Sequence, residues 1–192
     1  LRPEQCPKKI FHFLKDNSNR YNEYMNIFLV GPMGSGKSSL GKKLAKSLDK
    51  KFIDTDKEIE KKENKTINKI FENNGEKYFR EKEKEFLINI PNSLNMVIAT
   101  GGGIVTNQEN REKLKENKVI FLNASVERQN KRTSRSDKRP LLKNVDRLKK
   151  LRELYDQRLE FYKEVSSFEI NVDKYKSKDI LVKIIEELNE NN

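Results

Sequence analysis

Eight consecutive residues, Gly31-Pro32-Met33-Gly34-Ser35-Gly36-Lys37-Ser38, follow the pattern G-x-x-x-x-G-K-[ST]. Glycines at these positions let successive backbone N–H groups point at one spot. A helix that starts just beyond them adds its positive end, and the two together favour a polyphosphate. In that setting Lys37 reaches the β- and γ-phosphates and the Ser38 hydroxyl holds Mg²⁺. The competing account is a glycine-rich turn that binds nothing, but such a turn has no need of the Lys37–Ser38 pair. The flanks agree with a phosphate loop. Met25–Val30 is a short apolar run of strand character, and Ser39–Leu48 places Leu40, Leu44 and Leu48 at helical spacing.

Other residues able to do chemistry follow further apolar runs. Phe52-Ile53 leads into Asp54-Thr55-Asp56, and strand alternation puts Asp54 and Asp56 on one side. One carboxylate can help hold Mg²⁺ through its water shell, and the other can accept a proton from a substrate hydroxyl. A solvated strand end, or an N-cap for a helix from Lys57, is an equally good account. Gly101-Gly102-Gly103 follows Ala99-Thr100 directly, and bare backbone there allows close approach of a ligand; a flexible turn is the plainer alternative. Arg80 sits among Lys77, Glu81, Lys82 and Glu83, where a solvated helix face with i,i+4 pairs is the bland reading. Arg139-Pro140-Leu141-Leu142 follows the polar segment Thr133–Lys138. An arginine in that place can close over phosphates as a lid. Arg158 reads equally as a surface helix residue.

Five runs read as strands: Asn26–Val30, Lys51–Asp54, Met96–Thr100, Lys118–Leu122 and Phe168–Val172. Between them lie helical segments: Ser39–Leu48, a helix capped by Thr66 and ended by Gly75, Glu76–Ile90 stopped by Pro91, Asn107–Asn117, and Val145–Lys163. Ser177–Leu188 closes the chain. Strands alternating with helices predict an α/β fold with a parallel sheet covered on both faces. Ligands in such sheets bind outside the carboxyl ends of the strands.

A length of 192 residues predicts one domain, residues 25–192, preceded by an N-terminal extension over 1–24 to which no role is assigned. No apolar stretch approaches the roughly 18 residues of a membrane span, and acidic residues near the start argue against a signal peptide. Cys6 and His12 are single residues of their types, which excludes an internal disulfide and a zinc set and predicts a reducing, cytoplasmic setting. The formal net charge is +11, and residues 128–158 hold 12 basic against 4 acidic residues. Nucleic acid and a small anion both suit such a field. Tyr155 is the one aromatic in that stretch, so the small anion is preferred. A monomer without nucleic-acid or membrane partners is expected.

The set Gly31–Ser38, Asp54-Thr55-Asp56, Gly75-Glu76 with Phe79-Arg80, Gly101–Gly103, Arg139–Leu142 and Arg158 with Tyr162 resembles the shikimate kinase family in order and spacing. The resemblance extends over about residues 26–188. It implies a three-layer α/β/α P-loop kinase fold with five parallel strands in the order 2-3-1-4-5 and a lid near 131–145. It implies transfer of the ATP γ-phosphoryl group to the 3-hydroxyl of shikimate, with Mg²⁺ as cofactor. Gly34, Ser35, Gly36, Lys37, Ser38, Ser39, Arg132 and Arg139 are then expected to bind ATP, with Arg132 against the adenine. Ser38, and Asp54 through water, would serve the metal. Asp56, Arg80, Gly101, Gly102, Gly103 and Arg158 would hold shikimate, the arginines on its carboxylate. Lys37, Asp56 as base, and Arg139 would carry the catalysis. The chain departs from the family pattern at Glu160, where proline is common. Two other readings compete: another small-molecule kinase on the same fold, and a non-catalytic nucleic-acid binder using residues 128–158. The set Asp56, Arg80 and Arg158 suits a hydroxylated carboxylic acid better than a nucleotide acceptor.

Overall fold

The computed structural model describes residues 25–92, 94–134 and 139–190. The extension assigned to 1–24 and the centre of the expected lid, 135–138, lie outside the described residues.

Five strands form one sheet: β1 (Ile27–Val30), β2 (Lys51–Asp54), β3 (Met96–Ala99), β4 (Lys118–Asn123) and β5 (Phe168–Asn171). They lie in the order β2-β3-β1-β4-β5, with every pairing parallel. β1 is central, and its four residues IFLV are all buried, as a strand covered on both faces requires. Its alternation sorts the core in two. Ile27 and Leu29 face Leu40 and Leu44 of α1 (Lys37–Ser47) and Ile180, Ile184 and Leu188 of α7 (Ser177–Glu190). Phe28 and Val30 face the other way, against Leu87 of α3 (Ile67–Ile88), Leu114 of α4 (Gln108–Lys115) and Tyr162 and Val165 of α6 (Arg147–Val165). The three layers and the strand order expected from the sequence are those observed.

Two helices were outside the main reading, the first of them offered only as the alternative helix from Lys57. α2 (Thr55–Glu63) and α5 (Val126–Thr133) are short and polar, with Ile59 and Val126 as their buried apolar residues. Their caps carry them: Asp54 accepts from the Lys57 N–H and Ser125 from the Arg128 N–H. The charged helix expected from Val145 begins two residues later, because the Asp146 side chain accepts from the Lys149 N–H at 3.1 Å. It runs unbroken through Glu160, which is exposed and pairs with Lys163.

Gly75 divides α3 into two helical halves. Its φ of 80° and ψ of 171° fall in a region that is essentially glycine's alone. The first half, with Ile70, and the second, with Phe79, fold back on Ile59 of α2 to make a small separate core. A Cβ at Gly75 would meet nothing within 4 Å, so a substitution there is opposed by backbone strain alone. Gly75→Ala is expected to lower unfolding free energy by about 1–3 kcal/mol, read as a lower urea midpoint with an unchanged slope. An unmoved midpoint would show that the kink does not depend on glycine.

Candidate active site

Because all five strands run in parallel, their carboxyl ends share one edge, and the expected residues gather there. The loop Gly31–Gly36 joins β1 to α1, and Gly36 caps α1 with a left-handed backbone, φ 100°. Lys37, the first residue of α1, is buried. Its Nζ donates to Gly31 O at 2.7 Å, Pro32 O at 2.9 Å and Ser35 Oγ at 3.4 Å. Burial brings its pKa down to about 7, helped by Arg139 and opposed by Asp56 and Asp54. Ser38 and Ser39 are exposed beside it, and Ser39 Oγ donates to Gly36 O. Gly34 is packed against Gln129 and Thr133 of α5. From the same helix Arg132 leans across the loop, with Nη1 donating to Gly34 O at 3.3 Å and close above Gly36.

The expectation that Asp54 and Asp56 share one side of a strand is corrected. β2 stops at Asp54, which caps α2, and Asp56 lies in the first turn of that helix. The two carboxylates therefore do different things. Asp54 accepts from the Lys57 N–H, as the N-cap account had it, and lies outside the neighbouring cleft. Asp56 lines the cleft, and its Oδ1 is buried without a hydrogen-bond partner. Burial, and then Asp54, push its pKa up, while Arg139, Lys37 and Arg80 pull it down.

The empty space in the cleft is about 480 Å³, the open solvent at its mouth included. Asp56, Arg80, Glu83, Arg139 and Arg158 supply its polar wall, and Ile67, Phe71, Phe79, Pro140 and Leu141 its apolar one. Its floor is Gly101–Gly103. Gly101 N–H donates to Thr55 Oγ1 at 3.1 Å, fixing the start of α2 to the floor. Gly102 O accepts from Arg158 Nη1 at 3.3 Å and from the Tyr162 hydroxyl. A Cβ at Gly103 would sit 2.3 Å from the Arg80 guanidinium carbon. The glycines thus permit close approach, by side chains of the protein itself.

Both bland accounts of the arginines give way. Arg158 is 6% exposed, on the inward face of α6 with Leu154 and Tyr162. Arg80 makes its helical pairs, with Nη2 2.9 Å from Glu76 Oε1 and Nη1 against Glu83 Oε2. Those pairs aim it into the cleft rather than at solvent. Burial lowers its pKa, but Glu83 and Glu76 more than restore it, so Arg80 stays charged.

Glu83 lines the cleft and was not singled out in the sequence. It is 0% exposed, with Oε1 unpartnered. Burial raises its pKa to about 7, against the pull of Arg80 and with a push from Asp56. It stands four residues after Phe79 and four before Leu87, both buried. That spacing placed it on the apolar face of the helix, and the dense charge around it hid the fact. Among the described residues no three His, Cys, Asp or Glu side chains form a metal cluster. A hydrated Mg²⁺ needs no such cluster, since phosphate oxygens and water fill most of its shell, and the Ser38 and Asp54 oxygens fit that role.

A family model described as shikimate kinase matches residues 33–189. The chain belongs to the shikimate kinase family. It is 50% identical over 149 residues to a shikimate kinase of Caldicellulosiruptor bescii, covering 77% of this chain and 86% of that one. It is 48% identical over 140 residues to a bifunctional shikimate kinase/3-dehydroquinate synthase of Thermotoga maritima, covering 73% of this chain but only 28% of that protein. Among solved structures, the shikimate kinase of Acinetobacter baumannii in complex with shikimate superposes with a TM-score of 0.85 at 39% identity. That match covers 93% of this chain and 98% of the other. ATP is the co-substrate of this kinase family.

Tyr162 is fully buried, stacks on Phe121 at 5.1 Å and holds the floor through its hydroxyl. Tyr162→Phe leaves the stack and removes the hydrogen bond, so a loss of about 0.5–1.5 kcal/mol in unfolding free energy is expected from urea titration.

Proposed function

We propose that the chain transfers the γ-phosphoryl group of ATP to the 3-hydroxyl of shikimate, releasing ADP and shikimate 3-phosphate. The observation that carries this is the meeting of Lys37 and Asp56 between two different half-sites. On one side lies the phosphate loop, and on the other a cleft that aims Arg80 and Arg158 at a single floor of bare backbone. A guanidinium matches a carboxylate through two parallel hydrogen bonds. Two such groups, with Asp56 opposite, suit a small acid that carries hydroxyls.

In this reading the loop N–H groups of Gly34, Ser35 and Gly36, with the Ser38 and Ser39 hydroxyls, hold the phosphates, and Arg132 lies against the adenine. Arg80, Arg158 and Gly101–Gly103 hold the acceptor so that its hydroxyl faces Asp56. The hydroxyl oxygen attacks the γ-phosphorus as its proton passes to the Asp56 carboxylate. The bond from that phosphorus to the β,γ-bridging oxygen breaks, and ADP leaves. Lys37 and Arg139 offset the charge that spreads over the transferring oxygens. Ser38, and Asp54 through a water, would hold Mg²⁺, which would neutralise phosphate charge. Burial raises the proton affinity of Asp56, which strengthens it as a base; the cations beside it keep the anionic form accessible. We place this activity in a cytoplasmic monomer without nucleic-acid or membrane partners.

A coupled assay of ADP release tests the whole reading: turnover should require both Mg²⁺ and shikimate, and its absence with shikimate present sinks it. Asp56→Asn should cut kcat by about 10²–10⁴-fold with ATP affinity nearly unchanged; normal turnover would remove Asp56 as the base. Arg158→Lys should raise KM for shikimate by about 10–100-fold with a smaller effect on kcat, because lysine cannot reproduce the two-pronged contact.

A further inference from the structure

Glu83 has no part in the transfer just described, yet it is the most deeply buried acid of the cleft. The charged groups facing it come from three elements. Arg80 lies on its own helix, Asp56 projects from α2, and Arg158 and Tyr162 project from α6. Its two oxygens have different fates. Oε2 is held by Arg80 Nη1, while Oε1 is buried and unpartnered. Oε1 points at Gly101, where a Cβ would come within 2.2 Å of it and within 2.8 Å of Asp56 Oδ1. Two carboxylates therefore abut one backbone methylene, about 5 Å or less apart.

Arg80 is already shared between two glutamates. An acceptor carboxylate on Arg80 and Arg158 makes a third claimant and brings one more negative charge beside the buried Glu83. The glutamates can respond in different ways. Glu76 is 44% exposed and can turn into water. Glu83 is 0% exposed and has nowhere to go, so its remaining response is to become neutral.

We propose that Glu83 takes up a proton when the acceptor's carboxylate settles on Arg80 and Arg158, so that substrate binding and protonation of Glu83 are one coupled event. The neutral acid keeps an acceptor oxygen for Arg80 and gains an O–H donor for its unpartnered side. This rests on the reading of the two arginines as the carboxylate clamp.

The sign follows from linkage. An added negative charge raises the proton affinity of Glu83, so binding consumes protons and weakens as pH rises. Glu83 starts from a pKa of about 7. If the second carboxylate raises its proton affinity tenfold, binding at pH 7.5 takes up about half a proton. Affinity then falls about fourfold between pH 7 and pH 8.5.

Isothermal titration of the full chain with shikimate at pH 7.5, in HEPES and in Tris, reads this directly, because the two buffers release protons with different enthalpies. The wild-type apparent enthalpies should differ by about half the difference between the buffers' ionisation enthalpies. In Glu83→Gln that difference should vanish and the pH dependence of affinity should flatten. A merely structural role for Glu83 would change affinity without changing proton uptake. If the variant does not fold, the wild-type pair of buffers still decides. Binding with equal enthalpies in both buffers, or an undiminished difference in Glu83→Gln, overturns the proposal and leaves the clamp standing. Absence of any binding overturns the clamp and the proposal together.

Discussion

Three side-chain-free residues at the end of β3 are the constraint on which the rest of the site depends. The three helices that carry the acceptor-side groups, α2, α3 and α6, are all pressed against Gly101, Gly102 or Gly103. The carboxylates of Asp56 and Glu83 meet the first, Arg158 and Tyr162 hold the second, and the Arg80 guanidinium covers the third. A Cβ on Gly102 would just reach the phosphate loop, 3.4 Å from Met33 N and 3.5 Å from Gly31 O. The donor and acceptor halves are thus joined across bare backbone. A side chain at Gly101 or Gly103 would push apart groups that sit within a few ångströms of one another, and phosphoryl transfer depends mainly on such positioning.

Packing charges this tightly creates an electrostatic difficulty that shapes the site's chemistry. Lys37, Glu83 and Arg158 are all less than 9% exposed. Burial, the largest cause for each, moves Lys37 and Glu83 toward neutrality from opposite directions, and with the charges around them both arrive near pH 7. Opposite charge favours the ionised form of each: bound phosphates would do so for Lys37, and Arg80 and Arg158 do so for Glu83. An acceptor that brings its own carboxylate draws on those cations. The site is poised, in that its protonation responds to what it binds.

Much of this was legible in the sequence, where one local feature decided the matter. The phosphate loop is contiguous and lies between an apolar strand and an amphipathic helix. β2 was read as a strand over Lys51–Asp54, its observed bounds. The rest depended on which way a helix faces. Asp56 was assigned to a strand's alternation, and a single capping carboxylate at Asp54 turns the chain into α2 instead. α2 and α5 each bury one apolar residue of their own, too few to leave a helical period. Arg158 was left undecided because α6 is crowded with charge, yet it occupies the line Leu151, Leu154, Arg158, Tyr162, Val165 that forms the helix's buried face. Glu83 occupies the corresponding place on α3. A charged residue at a core position within an apolar line is the pattern that would have found both.

The small core of Ile59, Ile70 and Phe79 explains why the acceptor side is built as it is. Phosphate recognition is mounted on the central strand and α1, within the main core, so its geometry is fixed by the sheet. Asp56, Arg80 and Glu83 instead ride on α2 and α3, which pack against each other through this minor cluster. They reach the sheet through Thr55 on Gly101 and through Leu87 below. The glycine kink at residue 75 lets one helix supply both the apolar wall, through Ile67 and Phe71, and the ionic one, through Arg80 and Glu83. An acceptor that is apolar on one face and anionic on the other is matched by a single bent helix. On the proposed reading its hydroxyl is left to Asp56, the carboxylate that α2 brings into the cleft.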